Sequence, residues 1–370
     1  MKYTDLELAE IFLAAAPGMT PFWYEKLIDY FGDALETVRR ASDDGLSIMG
    51  KHAAGVLRYL KDKDSFRAFL RFLREKQIIC LTKSSEYYPE LLRQIDDAPI
   101  LLYARGRVDI SFDRAVAVVG TRHGTRYGEE VTRRIAGELA QSGVTIVSGL
   151  AVGIDAHAHA AALASGGVTA AVVAGGADNG IPSDNRALAE KILEHGVIYS
   201  EYPPGTPVRP WMFAPRNRII SGLAHGTLIV QAREKSGAML TVDHAQEQGR
   251  CVFAVPGDIT QGASYWPNKL IQQGAAVVLE TADILDEFGW QHAASGERGA
   301  KRTLDLESYS PEEKLILLAL GRGPLTHDTL CALTKLSRQS VMAHLTTLEM
   351  EGIIEQFPGR TVQLCEAYRP

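Results

Sequence analysis

Apolar residues recur at three- and four-residue spacing through residues 1–75, in LELAEIFLAAA, PFWYEKLIDYFG, DALETVRRA and KDSFRAFLRFLREK. That period predicts a run of short helices, with PGMTP as the turn between the first two. Between 78 and 106 the pattern breaks into short strands and turns punctuated by Pro89 and Pro99. From 115 to about 280 it changes again. Short runs rich in valine and isoleucine follow one another: AVAVVG (115–120), VTIVSG (144–149), TAAVVAGG (169–176), GVIYSE (196–201), TLIVQA (227–232), CVFAVPG (251–257) and AAVVLE (275–280). Amphipathic stretches such as RYGEEVTRRIAGELAQSG separate them. Continuous apolar strands between helices predict a parallel sheet covered on both faces, an α/β fold of the Rossmann-like kind.

Residues 291–304, QHAASGERGAKRTL, are polar and read as a linker. Beyond them Ser310 stands as an N-cap with Pro311 at the first helical position and an acidic first turn. Two helices, a longer third and a hairpin around Pro358-Gly359 give residues 305–370 the pattern of a winged helix. The expected organisation is a helical domain (1–75), a Rossmann-like domain (76–290), the linker and the winged helix.

Composition narrows the class. Of the 370 residues, 46% are hydrophobic and 23% charged, with a formal net charge of -6. No basic segment precedes an apolar one at the N-terminus, and no apolar run reaches the roughly 18–20 residues that span a bilayer. The four cysteines, Cys80, Cys251, Cys331 and Cys365, form no CxxC pair. A cytoplasmic protein without membrane insertion, structural metal or cofactor is expected. A chain of this charge repels polyanions as a whole. Any binding of phosphate must be local.

In an open parallel sheet, ligands bind beyond the carboxyl ends of the strands. After the first parallel strand, VVGTRHGTRYG spaces Gly120, Gly124 and Gly128 four apart, unlike the GxGxxG of a dinucleotide fold, and the next strand ends in Ser148-Gly149 without an acidic residue. A nicotinamide enzyme is disfavoured. A helix start there would suit a phosphate, with Arg122 adding a charged fork. Asp155 and His159, four apart in SGLAVGIDAHAHAAAL, read either as an acid–base pair or as a hydrogen-bonded brace. The loop AGGADNGIPSDN (174–185) is rich in glycine. In FAPRNRIISG, Arg216 and Arg218 would crown a helix start after Pro215 and fan toward one anionic ligand, with Asn217 bracing the turn. Phe213 would either face that ligand or fill the core. REKSGAMLT brings Lys235, Ser236 and Gly237 to a further helix start.

At these residues the chain resembles the DNA-processing protein A family (DprA, also called Smf). The matching strings are VVGTR, SGLAVGIDAHAH, IPSDN, APRNRIISGL, KSGAMLT, AQEQGRCVFAVPG and PNKLIQQGAAVV, in the family's order over about 165 residues. The resemblance implies a non-enzymatic, homodimeric protein that binds single-stranded DNA, protects incoming strands in natural transformation and helps load the recombinase RecA. It implies a helical N-terminal domain of the sterile-alpha-motif type as well. Carried over by position, the DNA-binding residues would be Gly120, Thr121, Arg122, Ser148, Gly149, Phe213, Arg216, Asn217, Arg218, Lys235, Ser236 and Gly237.

The chain departs from the family's pattern at Gln231, where an acidic residue is usual, at Ile181 in place of tyrosine, and at His157 in place of a small residue. PGMTP lacks the Gly-x-Gly of a helix-hairpin-helix, so residues 1–75 carry no DNA-binding expectation. The alternative is a nucleotide-processing enzyme of the phosphoribohydrolase type, but VPGDITQGAS lacks both the second glycine and the glutamate of a PGGxGTxxE loop. From Thr303 to Pro370 six Lys/Arg stand against nine Asp/Glu. A duplex-reading winged helix presents a basic face, so an accessory role suits that domain better.

Overall fold

The computed structural model describes residues 3–40, 46–290, 309–321, 323–350, 353–357, 361–364 and 368. It divides into two compact units, Met1–Ala293 and Ala294–Pro370. The expected linker, 291–304, lies outside the described residues.

The first unit is built on nine strands: β1 (Ile79–Thr82), β2 (Leu101–Gly106), β3 (Ala115–Val119), β4 (Thr145–Ser148), β5 (Thr169–Val172), β6 (Val197–Ser200), β7 (Gly226–Ile229), β8 (Cys251–Ala254) and β9 (Ala276–Val277). Their order in the sheet is β1-β2-β6-β5-β4-β3-β7-β8-β9. From β6 to β9 all neighbours are parallel, and β1 and β2 add an antiparallel edge beside β6. Alternation along β3 explains why its sequence is apolar throughout. Ala115, Ala117 and Val119 face a core shared with Ile219 and Leu223, while Val116 and Val118 face a second core with Ile135 and Leu139. With helices on both sides, neither face of β3 meets water.

The helices of the N-terminal segment gather around Phe12, Leu13, Leu27, Met49 and Leu57. They include one that the pattern did not announce, Ala53–Lys61. Thr4 and Glu7 close a capping box on Asp5–Ala14, and Thr20 caps Pro21–Phe31. This segment is not detached from the sheet. A further cluster joins Ile11 and Leu73 to Ile78, Cys80, Leu101 and Tyr103 of the sheet edge, and the Cys80 N–H donates to the Tyr3 hydroxyl at 2.9 Å.

In the second unit, helices Pro311–Leu320, His327–Thr334 and Arg338–Met350 pack with β10 (Leu325–Thr326), β11 (Ile354–Phe357) and β12 (Thr361–Leu364). β11 and β12 pair antiparallel as the wing, around a core of Ile316, Leu330, Val341, Leu345 and Val362. Ser310 is the N-cap as expected, and with Glu313 it closes a capping box. The hairpin tip, Pro358-Gly359, lies outside the described residues.

One feature of the sheet positions the site. The chain steps outward from β3 through β4 and β5 to β6, then returns to lay β7 on the other side of β3. Loops leaving β3 and β7 therefore diverge, and a crevice opens at their carboxyl ends.

Candidate functional site

That crevice encloses about 350 Å³. Its walls are Gly120, Thr121 and Arg122 after β3, Asp155 after β4, Phe213, Arg216 and Asn217 from the helix Phe213–Gly222, and Lys235, Ser236 and Gly237 after β7. A second lobe of about 300 Å³ shares Arg122, Phe213 and Arg216, and is otherwise mostly apolar, with Gly149, Ala174, Ile181, Pro182 and Val208. Of the twelve expected binding residues, Ser148 and Arg218 line neither lobe. Two residues that sequence reasoning passed over do line the crevice, His123 and Arg233. Each sits beside a cation already singled out, which was the available signal.

Phe213 is half-buried and lines both lobes, outside every core cluster. Two guanidinium groups approach its ring, Arg122 at 5.3 Å and Arg216 at 5.8 Å from the centroid. Cations at this range are attracted to the ring and fix its place. Arg122, Arg233 and Lys235 are exposed. No carboxylate pairs with them among the described residues.

Arg216 is different: only 6% of it is exposed. Its guanidinium lies across Gly149, where a Cβ would fall 1.8 Å from Nη1 and 2.8 Å from Oδ2 of Asp155. Asp155 in turn accepts the N–H groups of Gly149 (3.2 Å) and Ala151 (3.4 Å). Burial pushes the Asp155 carboxyl upward against the opposing pull of Arg216. Burial likewise lowers Arg216 to about 10, opposed by Asp155 and assisted by Arg122. Among the described residues, buried Arg216 and exposed Arg122 thus stand against the one carboxylate of Asp155.

Four expectations need correction. Arg218 does not share a ligand with Arg216. Residues two apart on a helix sit about 200° apart around its axis, and Arg218 turns to Glu201 (2.6 Å) and Asp97 (3.1 Å) instead. Ser148 is fully buried, and its hydroxyl donates to the Val118 carbonyl at 2.6 Å beneath the crevice. Asp155 and His159 do not act on one another. His159 Nδ1 lies 2.6 Å from the Thr169 hydroxyl, and burial, with Arg216 nearby, depresses the imidazole to about 3.

The fourth correction concerns the helix starts as phosphate sites. At Arg126–Gln141 the Thr125 N–H donates to Gln231 Oε1 (2.9 Å) and the Gly128 N–H to the Thr125 hydroxyl (3.3 Å). The Asp155 carboxylate occupies the turn leading into Ile154–Ala164. Donors already satisfied offer little to a ligand. Gln231 also donates to Thr125 Oγ1 at 2.8 Å. An ionised carboxylate at this position could only accept, so it would have to take the Thr125 hydroxyl proton instead. The helix carrying Phe213 begins at Phe213 itself after a turn at Pro210–Met212, with Pro215 inside its first turn. Asn217 reaches across the crevice to the Gly237 carbonyl (3.4 Å) and braces the facing loop.

A family model for DNA recombination-mediator protein A matches residues 79–289, and one for the DprA winged helix domain matches residues 300–360. The chain is 44% identical over 216 residues to the DNA processing protein DprA of Bacillus subtilis, covering 58% of this chain and 73% of that one. DprA of Streptococcus pneumoniae superposes with a TM-score of 0.67 at 33% identity, over 78% of this chain and 99% of that one. A structure of DNA processing protein A from Helicobacter pylori, described for its single-stranded DNA binding mode, matches with a TM-score of 0.52 at 29% identity. It covers 57% of this chain and 95% of that one.

Proposed function

Because the chain belongs to the DNA recombination-mediator protein A family, we propose that the crevice beyond β3, β4 and β7 holds single-stranded DNA. One observation carries the reading: Arg122, Arg233 and Lys235, which no carboxylate pairs among the described residues, line one crevice with Arg216 and the half-buried ring of Phe213, over which Arg122 and Arg216 lie. Phosphates would sit on the side-chain cations rather than on the helix starts. A base stacked on Phe213, facing the apolar lobe, would add ~1–3 kcal/mol without regard to sequence. The net charge of -6 is compatible with this, because exposed charges are screened beyond roughly 8–10 Å at physiological salt.

The Helicobacter pylori relative, described as binding single strands, supports the substrate class. Family membership supports the wider role: a cytoplasmic homodimer that protects strands entering recombination and helps load RecA on them. The protein acts as a mediator and not as an enzyme in this reading. Asp155 is committed to two backbone N–H groups and to the charge of Arg216, and His159 is a buried neutral ring. Neither is placed to exchange protons with a ligand.

The reading is tested by titrating labelled oligo-dT and a duplex of the same length against the protein, and by assaying nucleotide hydrolysis alongside. Preference for the single strand without turnover is expected. Equal affinity for the duplex, or hydrolysis abolished by Asp155→Asn, would favour the enzyme instead.

A further inference from the structure

The helix Lys63–Glu75 presents a row of cations that the crevice does not use. Lys63, Arg67, Arg71 and Arg74 are spaced four, four and three residues apart, so they share one helix face, and all four are exposed. Arg67 pairs with Asp64 at 2.8 Å. Lys63, Arg71 and Arg74 have no carboxylate partner among the described residues. Like charges three and four residues apart weaken a helix, and among the described residues Asp64 offsets only Arg67, so a polyanion along the row would relieve the repulsion that remains. Phe72 is exposed on the same helix, with the Lys76 ammonium 5.9 Å from its ring.

The adjoining apolar face of the helix fixes where this row stands. Phe66, Phe69, Leu70 and Leu73 pack into a cluster that includes Ala177. Ala177 belongs to the glycine-rich loop after β5, and neighbours in that loop, Ala174 and Ile181, line the apolar lobe of the crevice. One loop therefore supports the basic helix on one side and walls the crevice on the other. In the sheet β5 is two strands from β3, about 10 Å, and the row runs roughly 16 Å along the helix axis.

Resting on the reading of the crevice as a single-strand site, we infer that the Lys63–Glu75 helix is a second contact for the same strand. Its cations track the phosphates of DNA that has left the crevice over the 174–182 loop. The contact is electrostatic and indifferent to sequence. It lengthens the site without adding a pocket.

The test compares two labelled oligo-dT probes, one of about four nucleotides, the lower end of single-strand site sizes, and one several times longer. The variants are Lys63→Ala/Arg71→Ala/Arg74→Ala and its charge-keeping control Lys63→Arg/Arg71→Lys/Arg74→Lys. The Ala variant should bind the short probe as the parent does and lose about tenfold on the long one. Its slope of log affinity against log salt should be shallower by roughly 0.7 for each phosphate that is no longer neutralised. The control should bind both as the parent does. An Ala variant that matches the parent on the long probe overturns the inference, as does one that weakens both probes equally. So does one that keeps long-strand binding but loses binding of poly-glutamate, which gives the face to an acidic protein segment. Failure of the crevice reading is a different result: Arg122→Ala would leave the short probe bound as before.

Discussion

Arg216 and Arg218 stand two residues apart on one helix, are equally inaccessible, and do opposite things. On one face Arg218 meets two carboxylates, Glu201 and Asp97, so its charge is more than balanced within the fold. Across the helix Arg216 shares the single carboxylate of Asp155, with Arg122 close enough to disfavour its proton. Among the described residues that side carries an excess of positive charge, and it opens on a crevice. A buried charge that is fully paired is part of the framework, whereas one left in excess beside exposed cations awaits an anion. The local charge balance, and not the presence of arginine in a motif, separates the two roles.

The largest effect should come from the crevice side. Arg216→Ala removes a cation and leaves Asp155 to repel phosphate, so oligo-dT affinity should fall by about a hundredfold, roughly 2.7 kcal/mol. Adding Asp155→Asn should restore part of it. A double variant no better than the single one would mean that Arg216 acts through packing alone. Arg218→Ala should sharpen the contrast. Stranding Glu201 at its half-buried site is expected to cost about 2–3 kcal/mol of stability, below the 3–5 kcal/mol of a fully buried pair. The protein that remains folded should bind DNA normally. A binding loss equal to that of Arg216→Ala would erase the distinction.

Gly149→Ala comes next. The new Cβ would collide with the Arg216 guanidinium, so about a tenfold loss of affinity is expected as that group shifts. A change in melting temperature with unaltered binding would show that the guanidinium has room to move. The smallest effects belong to the exposed cations. Arg233→Ala and Lys235→Ala should each lower affinity a few-fold and make the salt slope shallower by roughly 0.7. Parental slopes in both would remove these residues from the interface.

Acid should also distinguish the two sides. The unfolded chain protonates His159 near its ordinary value of 6.5, while the folded chain resists until about 3. Within that window the unfolded state binds more protons, so stability present above 6.5 is lost as pH falls. Glu201 works the other way, because burial raises its carboxyl despite Arg218. Between pH 7 and pH 5, His159→Gln should flatten the fall in melting temperature and Glu201→Gln should steepen it. Parallel curves for both variants would show that neither group controls the acid response.

Much of the fold was legible because apolar runs in a doubly covered sheet leave little ambiguity. All seven expected strands begin within a residue of β3 to β9. The antiparallel attachment of the β1–β2 pair beside β6 was not readable, since nothing in LLYARG names a partner about a hundred residues away. At the site, residues adjacent in sequence and converging from loops were found readily. Arg218 was misjudged because its partners, Asp97 and Glu201, are distant in the chain and lie in strings without an evident motif. The helix starts were misjudged for a related reason. That Gln231 occupies the Thr125 donor depends on approach in space, which spacing along the chain does not record, whereas Asp155 stands only four and six residues from the donors it accepts, in a loop whose path the spacing leaves open.

Photocrosslinking tests the central claim most directly. Oligo-dT carrying 5-iodouracil is irradiated in complex with the full chain, and the crosslinked peptide is sequenced. A base stacked on Phe213 should place the adduct on that ring, and Phe213→Leu should abolish it while leaving the melting temperature nearly unchanged. Adducts confined to residues 294–370, or a Phe213 adduct no stronger with the single strand than with duplex, would contradict the account.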